Sequence, residues 1–374
     1  MKKFFLVIFM IFSLFFLSGC TKSIQLYEKL LVEGVGVDYK NDEYTLTLQI
    51  INSNESSSSD KSSTPKKVKV VSAKGSTLKE ASTNIIKQTG REPLYSQALI
   101  LVLGKSAIEH GLDNYMDFFI HNNEFSPDTR VLISDSDAKD ILNVKENEKE
   151  SKEEELVPAE DILNMLEEGS NRSQKLNSTI EKIIGDLKSK YSDVKIALVD
   201  LKKENNKSQL MVNKIGIFKD NKFKYCLNED ETKGALLIRA KADKTVDTIK
   251  SKEFPKVTYT ISKAKTKTKI NFIDSKLQIN IDEDVSVNIN ESETELSINN
   301  FSNLEKVISS RINTLSYKAI DASLMKNGCD IFDFSKMLVK DKSYYNLKSK
   351  SEVLDMLKSA NYNVSTKVKI STVY

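Results

Sequence analysis

Residues 257–290 read VTYTISKAKTKTKINFIDSKLQINIDEDVSVNIN and carry the clearest β pattern in the chain. Within this stretch, apolar side chains recur at every second position. They are Val257, Tyr259, Ile261, Ile270, Phe272, Leu277, Ile279, Ile281, Val285, Val287 and Ile289. Alternate residues of a strand point to opposite faces of its sheet, so this period of two predicts a largely antiparallel sheet with one face buried.

A long helix downstream is predicted to cover the buried face of this sheet. Ser302 and Glu305 have the spacing of a capping box, and Gly328 is placed to end the helix. Between these positions, apolar residues line one side at helical spacing: Leu304, Ile308, Ile312 and Leu315. A shorter helix over 353–359 and a final strand over 362–373 complete this C-terminal unit.

A mixed unit is predicted at the start of the chain. Residues 30–37 and 44–51 favour a paired β-hairpin because apolar and polar residues alternate in the second run. A helix over 77–87, an apolar strand over 98–103 and an amphipathic helix over 112–121 follow. This alternation of strands and helices is typical of an α+β unit.

A second mixed unit is predicted in the middle of the chain. Two helices, within 162–166 and 176–188, precede a strand over 194–199. A strand pair then turns at Lys219-Asp220-Asn221-Lys222, where Asp-Asn suits a positive φ, and a helix begins at Asp230.

The predicted fold class is therefore α+β, with three consecutive mixed α/β domains, the last having a largely antiparallel sheet packed by a long helix. We place the domains at residues 20–144, 158–245 and 246–374, after a signal peptide over 1–19. The segment 145–157 contains the charged run KENEKESKEEE and is predicted to be a linker. The polar run SNESSSSDKSSTP, residues 53–65, is predicted to be an exposed loop.

The first twenty residues, MKKFFLVIFMIFSLFFLSGC, have the organisation of a bacterial lipoprotein signal. Two lysines precede a run over 4–17 that is apolar except at Ser13. At about 1.5 Å per residue, this run is shorter than a hydrocarbon core of about 30 Å, which favours cleavage over a permanent span. Leu17-Ser18-Gly19-Cys20 matches a lipobox, so we predict diacylglyceryl attachment at Cys20. An uncleaved anchor and a simply secreted protein are the alternatives.

Charge and residue counts exclude several classes of function. The 56 basic and 53 acidic side chains give a net charge of +3, too small to predict nucleic-acid binding. The histidines His110 and His121 and the three cysteines do not stand at ligand spacing, so no metal site is predicted. With Cys20 acylated, Cys226 and Cys329 remain, and we favour two free thiols over a disulfide.

No catalytic or cofactor-binding constellation is predicted. Gly34-Val35-Gly36 lacks the third glycine of a dinucleotide loop, and we interpret it as a turn or a point of close backbone packing. Glu229, Asp230 and Glu231 have the chemistry to hold a cation, but their position at a predicted helix start favours capping. The sequence contains no GxSxG elbow and no HExxH motif.

Several segments, in order along the chain, carry a resemblance to a known family. The first two are Val32-Glu33-Gly34-Val35-Gly36-Val37-Asp38, and Leu94-Tyr95-Ser96-Gln97-Ala98 with Gly104-Lys105. The later ones are Gly216-Ile217-Phe218-Lys219-Asp220-Asn221-Lys222, Leu227-Asn228-Glu229-Asp230-Glu231-Thr232-Lys233-Gly234 and Asp330-Ile331-Phe332. With these segments the chain resembles the Ger(x)C family of spore germination lipoproteins, the C subunits of spore nutrient-germinant receptors. A glycine usually follows the last triplet in that family, and Asp333 stands there instead.

This resemblance implies a three-domain α+β lipoprotein, anchored through Cys20 on the outer face of the spore inner membrane. The implied partners are two integral-membrane receptor subunits, an A subunit and a transporter-like B subunit that holds the nutrient germinant. The implied role is non-enzymatic and lies in assembly or signalling, without a cofactor.

Two other classes of function remain open from the residues themselves. A solute-binding lipoprotein of a transport system would have two lobes of parallel α/β units around a ligand cleft, which the long antiparallel β run does not match. An envelope hydrolase would need a catalytic arrangement that the sequence does not reveal.

Overall fold

The computed structural model describes residues 29–51, 68–121, 125–144, 157–167, 176, 178–204, 207–273, 276–340 and 349–373. Within these residues the chain forms a mixed sheet of nine strands and a second sheet of four strands. Helices pack on the faces of both sheets, so the predicted α+β class is confirmed. The predicted loop over 53–65 and most of the charged linker lie outside the described residues.

The large sheet is antiparallel at both ends and parallel in its centre. Its spatial order is β3-β2-β1-β5-β6-β7-β8-β9, and β4 pairs with β1 in parallel beside β5. The strands are β1 Lys29–Lys40, β2 Glu43–Ile51, β3 Val68–Gly75, β4 Glu92–Leu94, β5 Ile100–Leu103, β6 Arg130–Ile133, β7 Val194–Glu204, β8 Lys207–Lys219 and β9 Lys222–Leu227. The predicted hairpin of the first two strands is confirmed, because β1 and β2 pair antiparallel from Leu31 to Lys40.

Both faces of the large sheet are covered by helices. On one face α1 Leu78–Thr89, α2 Lys105–His110, α3 Asp113–His121 and α6 Ile180–Lys188 bury a cluster of apolar residues. On the other face lie α4 Ala138–Leu142 and α5 Pro158–Glu167. Two such layers explain why β5, in the parallel centre of the sheet, consists of four apolar residues that are all buried.

Three elements of this region, β3, β4 and α2, were not predicted from the sequence. Strand β3 was not predicted, and it extends the sheet by pairing with β2 over its whole length. Helix α2 was also not predicted, and Gly111, at φ 110°, separates it from α3. His110 therefore ends α2, and His121 ends α3.

The large sheet spans the first two predicted domains. Strands β6 and β7 pair in parallel through Leu132 with Ala197 and Ile133 with Leu198. The Asp220-Asn221 turn between β8 and β9 has φ values of 48° and 66°, which confirms the predicted positive-φ hairpin. The domain boundaries at 145–157 and 245/246 stay predictions.

The small sheet has the order β10-β11-β12-β13, formed by β10 Val246–Ile249, β11 Val257–Ile273, β12 Lys276–Ser292 and β13 Asn361–Val373. The alternating runs form one long hairpin, because β11 and β12 each extend over 17 residues and pair antiparallel. Strand β13 instead runs parallel to β12. Two of the three pairings are antiparallel, as the largely antiparallel prediction requires.

Helices α7 Glu229–Ile238, α8 Ile298–Ile320, α9 Phe334–Lys340 and α10 Lys350–Lys358 accompany the small sheet, with a π-helical segment Asp321–Lys326 after α8. The predicted covering face of α8 is confirmed, because Leu304, Ile308, Ile312 and Leu315 are buried. Gly328 follows the π-helical segment at φ 60°, and its N–H donates to the Leu324 carbonyl at 3.0 Å. The helical run therefore ends at Gly328, as predicted from the sequence.

The predicted start of this helix is wrong by about one turn. Helix α8 begins at Ile298, after Ser297, whose N–H donates to Asn300 Oδ1 at 3.1 Å. Glu305 is not part of the cap, because its Oε1 accepts the N–H of Ile370 at 3.0 Å and so links α8 to β13. At the third helical position, Asn300 completes the capping box in place of the expected glutamate.

Strand β8 contacts all three hydrophobic clusters of the described residues. Leu210 and Val212 belong to the cluster under α4 and α5, and Phe218 belongs to the cluster on the opposite face of the large sheet. Ile215 and Ile217 join the cluster of the small sheet. The core of the C-terminal unit is therefore continuous with the end of the large sheet. Within the described ranges, none of the helices combines the length and apolar composition that a membrane crossing requires.

Candidate functional site

Charged side chains from both sheet regions meet where β7 begins. We call this group the junction cluster. Its members are Asp186, Asp193, Lys195, Arg239, Asp330, Asp333, Lys336 and Lys350. They come from the end of α6, the start of β7, the end of α7, the loop before α9, α9 itself and the start of α10.

Asp330 is one of the two most buried carboxylates of the cluster, together with Asp193. Its oxygens accept the backbone N–H groups of Phe332 at 3.0 Å, Phe334 at 3.2 Å and Ser335 at 2.6 Å. These N–H groups belong to the first turn of α9 and the residues before it, so Asp330 satisfies donors that a helix start leaves unpaired. Burial raises the pKa of Asp330, and the N–H donors oppose that rise.

Asp193 joins three parts of the chain through one carboxylate. Its Oδ2 accepts the backbone N–H of Asp330 at 2.7 Å, and its Oδ1 accepts a hydrogen bond from Lys350 Nζ at 2.7 Å. Burial acts to lower the pKa of Lys350, but the hydrogen bond and the negative charge of Asp193 outweigh it and raise that pKa. Because Asp193 directly precedes β7, this carboxylate fastens α9 and α10 to the large sheet.

Asp333 occupies a backbone conformation that favours glycine. Its φ is 65°, in the left-handed region that aspartate tolerates better than most residues. Its carboxylate accepts hydrogen bonds from Arg239 Nη1 at 3.1 Å and from the Ser192 hydroxyl at 3.2 Å. Burial acts to raise the pKa of Asp333, but the charges of Lys195, Arg239 and Lys336 outweigh it and hold that pKa at about 2.

Lys195 places a positive charge inside β7. It is 3% exposed, and its Nζ lies 3.3 Å from Asp186 Oδ2. Burial lowers the pKa of Lys195, with the like charge of Arg239 acting in the same direction and Asp333 and Asp186 opposing it. An isolated ammonium group would be costly here, so the surrounding carboxylates are needed to retain it.

The cluster is built to hold parts of the chain together. Its carboxylates and cations are engaged with one another or with backbone groups in the contacts given above. A cleft of about 310 Å³ opens beside it, lined among others by Ser189, Ser192, Asp193, Asp220 and Lys350. Among the described residues, no three His, Cys, Asp or Glu side chains are grouped to hold a metal ion. The arrangement fixes the C-terminal unit on the start of β7, a mechanical role.

A second buried carboxylate lies near the end of β1. Asp38 Oδ1 accepts the N–H of Ala138 at 2.9 Å, and its Oδ2 accepts the N–H of Lys139 at 3.3 Å. Burial raises the pKa of Asp38 to about 6, against the effect of these donors. Gly104 must be small here, because a Cβ at that position would lie 1.9 Å from Asp38 Oδ1.

The acidic group at the start of α7 divides between capping and pairing. Glu231 accepts the N–H of Asn228 at 2.8 Å and donates its own N–H to Asn228 Oδ1 at 3.0 Å, so the predicted capping is confirmed. Asp230 instead accepts Arg311 Nη2 at 2.6 Å and Lys318 Nζ at 2.7 Å, which ties α7 to α8. Burial acts to raise the pKa of Asp230, but the two cations outweigh this effect and hold that pKa at about 2.

The glycines of the Gly34-Val35-Gly36 segment mark close packing, as interpreted from the sequence. A Cβ at Gly34 would lie 2.8 Å from Leu142 Cδ2, and one at Gly36 would lie 3.0 Å from Ala138 Cβ. Gly234, in another of the family-like segments, has the same role between helices, because its Cβ would lie 1.9 Å from the Leu315 carbonyl oxygen.

The two histidines and Cys226 take no part in the contacts of the junction cluster described above, whereas Cys329 directly precedes Asp330 of that cluster. The ring of His110 lies 3.7 Å from the ring of Tyr39, centre to centre, and His121 Nδ1 lies 2.9 Å from the Asp117 carbonyl oxygen. Cys226 and Cys329 are free thiols, and burial raises the pKa of each to about 12. Cys20, the predicted lipidation site, lies outside the described residues.

Comparisons with known proteins agree with this architecture. The family profile described as "Spore germination protein N-terminal domain" matches residues 22–201, and the one described as "Spore germination B3/GerAC like, C-terminal" matches residues 213–374. Over 140 residues, the chain is 32% identical to "Spore germination protein A3" of Bacillus subtilis (strain 168), a match that covers 35% of each protein. The matched part thus spans about a third of that relative's length.

A solved structure shares the fold at lower sequence similarity. The crystal structure of the GerBC protein superimposes with a TM-score of 0.57 at 18% identity, and the match covers 90% of this chain and 96% of that one.

Proposed function

We propose that this chain, which belongs to the GerAC family of spore germination proteins, is the C subunit of a nutrient-germinant receptor and acts without catalysing a reaction. The observation that carries this proposal is the coverage of the family profiles. Together they match residues 22–201 and 213–374, which is nearly the whole chain from residue 22 onward.

The positions of the family-like segments support a scaffolding role. Asp38 and Gly104, from two of these segments, meet at the end of β1. Asp330, from the last segment, carries the hydrogen bonds that join α9 to the large sheet. These residues stabilise the fold. Such a structural role is expected in a subunit that acts by presenting its surface to partner proteins.

The membrane attachment proposed for this subunit is a diacylglyceryl group on Cys20. Two acyl chains give a stable anchor where a single chain gives a weak one. A tethered chain is held at a high local concentration beside membrane proteins, so contacts of modest affinity are sufficient for assembly. The proposed partners are the A and B integral-membrane subunits, and the proposed location is the outer face of the spore inner membrane, with the germinant bound by a partner.

The direct experiment is a Cys20→Ala exchange in a sporulating host. We expect the variant to leave the membrane fraction and the spores to lose nutrient-triggered germination. Cys226→Ala is the matched control, because that thiol is free and no disulfide depends on it. Its spores should germinate normally and retain the protein in the membrane. Normal retention and germination of the Cys20→Ala spores would refute the proposal.

A second experiment addresses the partners. An affinity tag at the C-terminus, after Tyr374, allows the chain to be isolated from mildly solubilised spore membranes. We expect two integral-membrane proteins to accompany it from wild-type spores. Isolation of the chain with a transport complex, together with tight binding of amino acids or sugars by calorimetry, would instead favour the solute-binding alternative.

A further inference from the structure

The outer face of the small sheet, opposite its buried face, is rich in lysine. We call it the basic face. Its lysines are Lys263, Lys265, Lys267 and Lys269 on β11, Lys276 on β12, and Lys367 and Lys369 on β13. All seven are exposed. They lie on one side of the sheet because they occupy the positions that alternate with the buried residues.

The strand register brings these lysines together. Asp284 of β12 lies between Lys265 of β11 and Lys367 of β13. Similarly, Ser286 lies between Lys263 and Lys369. The lysines of β11 and β13 thus face one another across β12, about 10 Å apart, with two carboxylates, Asp282 and Asp284, among the seven ammonium groups.

The lysines outnumber the carboxylates of this face, although Asp284 and Asp282 stand opposite Lys265 and Lys267 in the strand register. Salt bridges are found elsewhere in the described residues, but none includes a lysine of the basic face. The positive charge of this surface is therefore available to an external anion.

An apolar side chain stands at one end of the basic face. Ile273, the last residue of β11, is 53% exposed. It follows Lys269 and Asn271 at alternate positions, so it lies on the same side of the sheet as the lysines. A surface that combines lysines with an exposed aliphatic tip has the two features by which peripheral proteins bind anionic membranes.

The face is also rigid. Strands β11 and β12 pair from Val257 to Ser292, and β13 pairs with β12 from Gln278 to Ile289. The inner face of the same strands is packed under α8 in the C-terminal cluster. The four lysines of β11 therefore form a fixed row about 20 Å long.

We propose that the basic face docks on the surface of an anionic lipid bilayer. The lysines favour an anionic partner. The exposed Ile273 favours one with an apolar layer beneath its charged surface, as a lipid bilayer has. A shallow cleft of about 390 Å³ offers a place for a lipid phosphate; four lysines line it around one carboxylate, namely Lys263, Lys265, Lys367 and Lys369 around Asp284. The long aliphatic stems of lysine allow the ammonium groups to stay at headgroup level while the sheet approaches the bilayer.

This inference deepens the proposed function by giving the tethered subunit a fixed orientation on its membrane. The orientation rests on that proposed function, but the docking itself does not require the lipid anchor. A chain beginning at residue 21 keeps every described strand and helix and all three hydrophobic clusters, which lie within residues 29–373. It can therefore be tested as a soluble protein without lipidation.

The test is co-sedimentation of this 21–374 chain with vesicles. We expect binding to vesicles of equal parts phosphatidylglycerol and phosphatidylcholine, little binding to pure phosphatidylcholine, and loss of binding at about 1 M salt, where screening is strong. Exchange of Lys263, Lys265, Lys267 and Lys269 for Gln should weaken binding at least tenfold, since each lysine near an anionic surface contributes about fivefold.

A matched variant separates the basic face from net charge. Exchange of Lys69, Lys79, Lys182 and Lys188 for Gln removes the same charge from exposed positions on the other sheet region, and we expect vesicle binding to change less than threefold. Ile273→Ser should weaken binding without changing its salt dependence. Unchanged unfolding transitions would show that the variants remain folded.

Three outcomes would overturn the proposal. The first is equal binding to neutral and anionic vesicles. The second is equal weakening by the two sets of lysine exchanges. The third is absence of binding to the anionic vesicles; binding to poly-glutamate in that case would identify an acidic protein segment as the occupant of this face. The Cys20→Ala experiment is independent of all three, so failure of the anchor and failure of the docking surface are distinguishable.

Discussion

The backbone N–H of Asp330 donates to the carboxylate of Asp193 across 2.7 Å, and these two residues are separated by 137 positions in the sequence. One oxygen of Asp193 thus holds the loop before α9, and the other holds Lys350 at the start of α10. The attachment of the C-terminal helices to the large sheet therefore depends on a carboxylate that is only 2% exposed.

Asp193→Ala should destabilise the protein by about 3 kcal/mol, because it leaves the buried N–H of Asp330 without an acceptor and leaves Lys350 with only its longer contact to Asp220, at 3.4 Å. Urea unfolding of the 21–374 chain measures this change. Asp355→Ala is the control, since Asp355 is exposed on α10, and it should change stability by less than about 0.5 kcal/mol. Equal stabilities of the two variants would show that Asp193 does not couple the units.

The low pKa of Asp333 predicts that the protein loses stability in acid. Its folded pKa of about 2 lies below the unfolded value near 3.9, so its contribution is present above pH 4 and is lost as the pH falls through 2. Wild-type stability should therefore drop between pH 5 and pH 2 by about 1–2 kcal/mol more than that of Asp333→Asn, which keeps a residue suited to the left-handed backbone. Parallel pH profiles for the two proteins would contradict this account.

Asp38 has the opposite pH dependence. Its folded pKa of about 6 lies above the unfolded value, so the folded state holds the proton more tightly and stability falls as the pH rises from about 4 to about 6. Asp38→Asn should remove about 2–3 kcal/mol of this fall, measured by unfolding at a series of pH values. Asp128→Asn, at an exposed position, should leave the wild-type profile in place. A wild-type profile in the Asp38 variant would be incompatible with a buried, proton-binding carboxylate.

Two glycine exchanges should have opposite effects. Gly104→Ala places a Cβ against Asp38 and within 2.7 Å of the Ala138 nitrogen, so it should destabilise by roughly 2–4 kcal/mol. Gly185→Ala meets no atom within 4 Å and lies inside α6, so it should stabilise by about 0.5–1 kcal/mol. Thermal unfolding of the two variants shows directly whether each exchange raises or lowers the stability. A stable Gly104→Ala protein would mean that β1 and α4 can separate at little cost.

Periodic patterns predicted the elements that are long and half-buried. The residues of β11 and β12 alternate over most of their length, and the apolar line of α8 repeats every turn, so both were identified from local sequence. Strand β3 was missed because its residues, VKVVSAKG, alternate poorly and the sheet partner β2 decides its conformation. The start of α8 was misplaced because Asn300 closes the helix end in a role expected of glutamate.

The junction cluster could be predicted only in part. The Asp330-Ile331-Phe332 segment was noticed through its resemblance to a family, and the glycine expected after it marks the positive φ that Asp333 adopts. Asp193 and Lys350 gave no local signal, because they are 157 positions apart and come together only when the chain folds. Lys195 is a charged residue at a buried position of a strand, which a hydrophobic pattern cannot anticipate.

Strand β1 begins at Lys29 and lies in the interior of the large sheet, hydrogen-bonded to β2 on one side and to β4 and β5 on the other. A pull on the amino-terminal end of this strand, along its axis, would load the hydrogen bonds on both sides in shear at the same time. Such a geometry resists force better than an edge strand that can be peeled away one bond after another. Whatever lies upstream of Lys29, tension that reaches the folded body through it is shared by the hydrogen bonds on both sides of β1.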